Sequence, residues 1–215
     1  VKRRQVELIG GAYYGAALPI IPNKDRVGQI EMLTTYIRKR FGKRPRGCWI
    51  PEGVWEPSLA STIKSGGMEY LFLDDVYFEK AGIPKDELYH PFVTDDQGKS
   101  VIVLPLHNDF ITTAFNESPE KYIERLKKAK GGTYNGDRIL PIMWNGEFFF
   151  SEADRYADFF SEKGWLEKFF SLISENGQDM QTILPGKYLR SGGPFRRVYF
   201  PGSLDIGERE SSDEP

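Results

Sequence analysis

Hydrophobic and polar positions follow a helical period in one long segment near the start of the chain. Apolar residues recur there at intervals of three or four, at Val27, Ile30, Leu33, Ile37 and Phe41. Residues at this spacing share one face of a helix. The pattern therefore predicts an amphipathic helix over 23–41. Gly42 is expected to end it, because glycine readily adopts the left-handed conformation found after helices.

Elsewhere, short apolar runs bounded by Gly, Pro, Asn or Asp are typical of strands. These runs are 5–9, 47–50, 68–75 and 138–144, with further candidates at 180–184 and 197–201. Helical patterns lie between them, at 58–65, from Ser118-Pro119 onwards, at 153–161 and at 165–174. The run at 68–75 is apolar almost throughout, as expected for a strand that is covered on both faces.

The segment 89–106 differs, since two strand-like runs flank the turn sequence at 95–98 and predict a β-hairpin. Strands that otherwise alternate with helices favour an α/β fold with a parallel sheet, and this number of units favours a (β/α) barrel or a large part of one. No internal repeat or linker divides the sequence, so 1–215 is predicted to be a single domain.

Composition narrows the possible functions. Of the 215 residues 40% are hydrophobic and 14% aromatic, enough for a sizeable core. A net charge of −2 gives no basic patch for nucleic acid or an anionic membrane, and no apolar run approaches the roughly 18 residues of a membrane span.

The single cysteine, Cys48, fits a reducing compartment, so a cytoplasmic location is expected. Because the chain opens without Met and closes in a polar tail, we expect a piece of a longer protein.

Three stretches at expected strand ends combine aromatic with small residues: 10–19, 49–57 and 143–150. In barrels of this kind, the chemistry lies at the C-terminal edge of the strands. Aromatic rings there can stack on the apolar faces of sugars. The aromatic candidates for substrate binding are Tyr14, Trp49, Trp55, Trp144 and Phe148. For any one of them, ordinary core packing is the alternative.

Trp49–Pro57 matches the pattern W-x-x-E-x-x-W-E-P, the segment 66–78 ends in paired aspartates and a tyrosine, and 188–208 is similar to Y-L-P-x-x-S-Y-x-E-M. Together these stretches resemble glycoside hydrolase family 57, whose retaining enzymes include 4-α-glucanotransferases, α-amylases and branching enzymes. The likeness is nearest to the 4-α-glucanotransferases.

This resemblance implies an incomplete seven-stranded (β/α) barrel, of which the chain covers the central part, with the hairpin near 89–106 as an insertion. It implies Glu52 as the nucleophile, Asp75 in the substrate site, and an α-glucan or malto-oligosaccharide as substrate. No cofactor is expected, since the sequence has no Gly-rich phosphate-binding motif of the required form. The family's N-terminal histidine pair has no counterpart here, so an N-terminal section is expected to be missing. The two histidines, 17 residues apart, lack metal-ligand spacing.

The sequence departs from the family pattern where an acid is needed. Asn145 stands at the position of the acid/base aspartate, and an amide cannot donate the proton that such a step requires. General acid–base catalysis typically contributes about 10²–10⁴-fold. Gly15 replaces a substrate-site glutamate, and the late S-Y-x-E-M pattern is replaced by 203–207. Glu147, two residues on and on the same face of a strand, is a possible substitute acid, and Asp75 is another.

Three hypotheses follow. The first is an active α-glucan hydrolase or transglycosylase. The second is a degenerate member that binds α-glucan without turnover, because the aromatic residues remain while the proton donor is lost. The third is a structural α/β domain whose loops only resemble the family. The oligomeric state stays open.

Overall fold

A computed structural model describes residues 5–50, 53–129, 137–144, 146, 159–160, 164–192 and 196–203. The chain forms two compact units. The first contains the described residues up to Pro105 and those from Leu184 onwards, and the second runs from Leu106 to Ile183. That 1–215 form a single domain stays a prediction.

A mixed five-stranded sheet forms the framework of the first unit. Its strands are β1 (Gly47–Cys48), β2 (Tyr70–Asp74), β3 (Phe92–Asp96), β4 (Lys99–Leu106) and β5 (Arg196–Arg197), in the order β1-β2-β4-β3-β5. Strands β1 and β2 are parallel, β3 and β4 form an antiparallel hairpin, and β5 runs parallel to β3. Gly10 adds an isolated parallel bridge to Cys48.

The helices, in chain order, are α1 (Asn23–Phe41), α2 (Leu59–Ser65), α3 (Asp75–Lys80), α4 (Asn108–Thr112), α5 (Pro119–Lys128), α6 (Trp165–Glu175) and α7 (Pro185–Tyr188). Short 3₁₀ helices occupy Leu18–Ile20, Lys85–Glu87 and Ala114–Asn116. Helix α1 has the predicted bounds, and Gly42 follows it with φ 68°. At the start of α5, the Ser118 hydroxyl accepts a hydrogen bond from the Lys121 amide, as an N-cap serine does.

The core of the first unit lies between the sheet and its helices. Phe78 of α3 packs against Phe92 of β3 and against Phe200, with ring centroids 5.1 and 4.6 Å apart. Trp55 and Phe200 are fully buried in the same cluster. This places the segment after β1 and the segment after β5 in one packed core, although they are far apart in sequence.

The second unit has an aromatic core of its own. Tyr122 of α5 packs against Trp165 and Phe169 of α6 at 5.5 and 5.7 Å. Arg125 places its guanidinium 4.8 Å from the ring centroid of Phe110. Stacking on aromatic rings and the ion pair with Glu117 at 2.9 Å compensate for removing this cation from water.

The predicted hairpin is confirmed, with Gln97 and Gly98 at its turn, both at positive φ. Two predicted strands are wrong. Residues 138–144 form no strand, although Leu140, Ile142 and Trp144, every second residue, pack against the aromatic core of the second unit. Residues 180–184 form none either, and none of the five is fully buried. Of the predicted strand at 5–9, the structure shows only the bridge at Gly10. The predicted helix at 153–161 lies outside the described residues except at 159–160, which are helical.

Candidate active site

Three chain segments leave the sheet at the same edge. Strands β1 and β2 are parallel neighbours, so their C-terminal ends, at Cys48 and Asp74, lie together. Gly10 pairs in parallel with Cys48, which brings the residues after it to that edge as well. The approach there is close, since a Cβ on Gly11 would lie 2.8 Å from the carbonyl oxygen of Trp49. Sequence stretches 10–19 and 49–57 therefore meet, as their assignment to strand ends predicts.

Two of the predicted sugar-binding aromatics at this edge are open to solvent. The Tyr14 side chain is 74% exposed and Trp49 is 37% exposed. The Gln29 side-chain oxygen accepts a hydrogen bond from the Tyr14 amide at 3.0 Å and fixes that backbone. Tyr13 lies edge-to-face with Tyr14 at 4.9 Å and with Tyr36 of α1 at 6.2 Å. Tyr36 was not among the aromatic residues predicted to bind substrate, because it lies outside the apolar stripe of α1 and outside the stretches at strand ends.

The other predicted aromatics differ in their surroundings. Trp55 is fully buried, and its indole N–H donates to the Phe200 carbonyl at 3.3 Å, so the ring presents no face to a ligand. Trp144 belongs to the second unit and packs 6.0 Å from both Trp165 and Phe169. Trp55 thus shows the core packing that was the alternative to sugar binding, whereas Trp144 is only partly buried and its sugar-binding role stays a prediction. Glu52, Asn145, Glu147 and Phe148 lie outside the described residues.

The aspartate pair ends β2 beside the segment that follows β1. Asp74 is the last residue of β2, and Asp75 begins α3. A Cβ on Gly53 would lie 3.1 Å from Oδ2 of Asp74, so this carboxylate lies against the residue that follows Glu52. Sequence reasoning selected Asp75, which is partly buried. The strand pattern could not show which of the two consecutive aspartates approaches Gly53.

Two hydroxyl groups fix the backbone of residues 53–55. The Tyr77 hydroxyl donates to the Gly53 carbonyl at 2.8 Å and lies 2.7 Å from the Ser203 Oγ. That Oγ accepts from the Trp55 amide at 2.8 Å, and the Ser203 amide donates to the Trp55 carbonyl at 2.8 Å. No sequence signal joined Ser203 to residue 55, because 148 positions separate them.

The opposite ends of β1 and β2 carry a separate polar network. Arg46 hydrogen-bonds the Glu69 carboxylate, which lowers the pKa of that carboxyl despite partial burial. Burial raises the pKa of Tyr70, as does its hydroxyl bond to Glu7 at 2.9 Å. In parallel barrels, groups at this edge contribute to stability rather than to chemistry. Between the two edges, burial raises the pKa of the Cys48 thiol to about 12.

Within the described ranges, no group of three or more His, Cys, Asp or Glu side chains lies close enough to hold a metal ion. The helices of the same ranges include none that is both long and apolar enough to cross a membrane.

The family model for glycosyl hydrolase family 57 matches residues 1–201. The chain belongs to this family, as the resemblance of its motifs implies. Alpha-amylase 1 of Dictyoglomus thermophilum is 34% identical over 200 residues, which cover 93% of this chain and 29% of that protein. The 4-alpha-glucanotransferase of Thermococcus litoralis is 33% identical over 207 residues, 94% of this chain and 30% of that protein. The chain thus spans less than a third of the length of these relatives.

Solved structures give the same picture. The crystal structure of the 4-alpha-glucanotransferase from Thermococcus litoralis superposes with a TM-score of 0.85 at 32% identity and covers 95% of this chain and 32% of that one. A branching enzyme of this family from Pyrococcus horikoshii, at 17% identity, shares the fold with a TM-score of 0.68 over 94% of this chain and 48% of that one. The predicted fold class, α/β of the incomplete (β/α) barrel type found in this family, is confirmed.

Proposed function

We propose that this chain supplies the nucleophile segment of a retaining, α-glucan-active hydrolase or transglycosylase similar to 4-α-glucanotransferase, with Glu52 as the nucleophile. The observation that carries the proposal is the position of the Trp49–Pro57 motif. It begins directly after β1, at the edge of the sheet where barrel enzymes place their catalytic groups.

In the proposed reaction, an oxygen of the Glu52 carboxylate bonds to the anomeric carbon of the glucan as the glycosidic C–O bond breaks. A second carboxyl group, roughly 5–5.5 Å from the first in retaining enzymes, protonates the departing oxygen. In the second step the oxygen of water, in hydrolysis, or of a sugar hydroxyl, in transfer, bonds to the anomeric carbon as its bond to Glu52 breaks and the carboxylate is regenerated. The same second group removes a proton from the attacking hydroxyl.

The substrate proposed for this site is an α-glucan or malto-oligosaccharide. The exposed rings of Tyr14 and Trp49, at the same edge of the sheet, support it, because sugar rings stack their C–H faces on aromatic side chains. Asp75, Trp144 and Phe148 remain proposed contributors. The buried Trp55 is better suited to holding the segment in place than to contacting sugar. We further propose a cytoplasmic location, in line with the single cysteine.

The residue that donates the proton in the first step must differ from the one in the family pattern. Asn145 occupies the position of the family's acid/base aspartate. Glu147 and Asp75 are the proposed substitutes, each a carboxyl group able to exchange a proton. With neither in place, the first step would lack about 10²–10⁴-fold of acceleration.

A second candidate function is binding of α-glucan without turnover. Asn145 favours this function because an amide cannot donate the required proton. Gly15 also favours it, because it replaces a substrate-site glutamate of the family pattern. Among the described residues, and apart from the chain neighbours of Gly15, no heavy atom lies within 4 Å of the position that a Cβ would take.

Disproportionation of maltoheptaose by the purified protein separates the two functions. If wild type redistributes chain lengths and Glu52→Gln abolishes this, the enzyme is active and Glu52 is required. Glu69→Gln, a matched change at the opposite edge of the sheet, should leave the rate unaltered. If wild type binds maltoheptaose without turnover and Asn145→Asp produces activity, the protein is a degenerate member that binds α-glucan without turning it over. Activity that survives Glu52→Gln would refute the nucleophile assignment.

A further inference from the structure

Two hydroxyl groups bond the backbone immediately after the proposed nucleophile. We propose that Tyr77 and Ser203 are positioning residues for Glu52, and we call this pair the hydroxyl clamp. Its bonds to residues 53 and 55 would hold the Glu52 backbone in the geometry that attack on the sugar requires. This inference rests on the proposed function, since it assigns a role to groups around the same nucleophile.

The clamp is a network of hydrogen bonds between two hydroxyl groups and the backbone of residues 53 and 55. The Trp55 N–H donates to Ser203 Oγ at 2.8 Å, and that Oγ lies 2.7 Å from the Tyr77 Oη. The Tyr77 hydroxyl donates to the Gly53 carbonyl at 2.8 Å and accepts from the Trp55 N–H at 3.3 Å, and the Ser203 hydroxyl is placed to donate to the Trp55 carbonyl at 3.0 Å. Hydrogen bonds that share atoms in this way polarise one another, which strengthens the set.

One end of the clamp lies in the packed core and the other lies close to it in sequence. Tyr77 lies on α3 and is only 5% exposed. Ser203 is partly buried and lies three residues after Phe200, which is fully buried, packs against Phe78 at 4.6 Å and accepts a hydrogen bond from the Trp55 indole. Rotamers locked by packing are what allow supporting residues to position a reactive group.

The clamp holds the backbone one residue after Glu52 in the sequence. The carbonyl that Tyr77 holds belongs to Gly53 and to the planar peptide unit that joins Gly53 to Val54, and Gly53 itself has φ 61°. Holding Gly53 in this one conformation, out of the many open to a glycine, would limit the directions open to the residue before it. A misplacement of about 1 Å in a reacting group can cost about 10²-fold in rate.

Tyr70 offers a matched control. It is a fully buried tyrosine on β2 whose hydroxyl also donates one strong hydrogen bond, to Glu7 at 2.9 Å. That bond lies at the opposite edge of the sheet. Tyr70→Phe and Tyr77→Phe therefore remove the same hydroxyl group from a buried tyrosine, and only the second removes contacts with the segment next to Glu52.

The test uses α-maltosyl fluoride and the rate constant of the first fluoride released per protein molecule. In this step a Glu52 oxygen bonds to C1 while the C–F bond breaks, and fluoride leaves with the electron pair. No proton donor is needed, so Asn145 does not limit the step. Glu52→Gln, which lacks the carboxylate, gives the background rate.

We expect Tyr77→Phe to lower this rate constant at saturation by about tenfold or more, with the half-saturating concentration nearly unchanged. Tyr70→Phe should stay within about twofold of wild type. Ser203→Ala should resemble Tyr77→Phe, and Ser203→Thr, which keeps a hydroxyl, should recover most of the rate. A purely structural role would lower the stability of both tyrosine variants without separating their rates.

Two other outcomes would overturn the proposal in distinguishable ways. If wild type releases fluoride and Tyr77→Phe behaves like Tyr70→Phe, the clamp does not position Glu52, and the proposed function stands. If wild type releases fluoride no faster than Glu52→Gln, the nucleophile assignment fails, and the role of the clamp fails with it.

Discussion

Gly53→Ala is a direct probe of the backbone that follows the proposed nucleophile. Gly53 has φ 61°, in the left-handed region that is costly for residues with a Cβ. The added methyl would also lie 3.1 Å from Oδ2 of Asp74, tighter than an ordinary contact. The substitution therefore combines a backbone cost with a local steric one.

The backbone cost is about 1–2 kcal/mol for an L-residue in this conformation. The carboxylate of Asp74 must also shift by a few tenths of an ångström, and a strained side chain of this kind costs of order 0.5–1.5 kcal/mol. We therefore expect Gly53→Ala to lower the free energy of unfolding by about 2 kcal/mol. In a chain of this size, that corresponds to a fall in Tm of roughly 4–8 °C.

Gly98→Ala is the matched control, measured with Gly53→Ala by urea denaturation. Gly98 has φ 73°, and the described residues, its chain neighbours apart, place no heavy atom within 4 Å of its Cβ position, so we expect its substitution to carry the backbone cost alone. Gly53→Ala should be the more destabilising of the two, and the excess should disappear when Asp74→Ala is added, as a double-mutant cycle would show. Equal losses for the two glycines, or an excess that survives Asp74→Ala, would refute the close approach of Asp74 to residue 53.

Three further predictions concern single side chains. Trp49 is 37% exposed, so Trp49→Ala should weaken maltoheptaose affinity several-fold in calorimetry with little loss of stability. Trp55 is fully buried, so Trp55→Ala should cost about 3–5 kcal/mol of unfolding free energy. Similar behaviour of the two variants would contradict this prediction. The buried Cys48 thiol, with its pKa raised to about 12, should resist a disulfide reagent at pH 8 until urea unfolds the chain, and rapid native labelling would count against its burial. Arg46 lowers the pKa of Glu69, so the folded state binds fewer protons at this carboxylate than the unfolded state does. The pair stabilises the fold by at most about 1 kcal/mol, because both groups are partly exposed. This stabilisation is present above the ordinary glutamate pKa of 4.5 and is lost as pH falls through the lowered value. The gap in unfolding free energy between wild type and Glu69→Gln should therefore close in acid, and a gap that widens would refute the assignment.

The parts of the fold that local patterns specify were predictable. Helix α1 follows from its apolar stripe and from Gly42, and the hairpin follows from two alternating runs around a turn. The strands at 138–144 and 180–184 were not, because an apolar run indicates burial but does not show whether another strand lies alongside. Residues 138–144 keep an alternating contact pattern against the aromatic core and pair with no strand in the described structure.

The site was predictable as far as strand ends reveal it. Tyr14 and Trp49 come to one edge because Gly10 and Cys48 are bridged in parallel, which alternation of strands and helices anticipates. Trp55 could not be distinguished from Trp49 by composition, since both belong to one motif and only packing decides which ring is buried. The hydroxyl clamp was out of reach, because it joins positions 55 and 203 through tertiary contact alone.

Covalent trapping tests the central claim most directly. A maltosyl fluoride with a second fluorine at C5 of the reacting sugar would form the glycosyl intermediate and release it slowly, so that peptide mapping by mass spectrometry can locate the attached sugar. The account predicts one adduct, on the peptide that contains Glu52, and none in Glu52→Gln. An adduct on another carboxylate, or labelling that persists in Glu52→Gln, would contradict it.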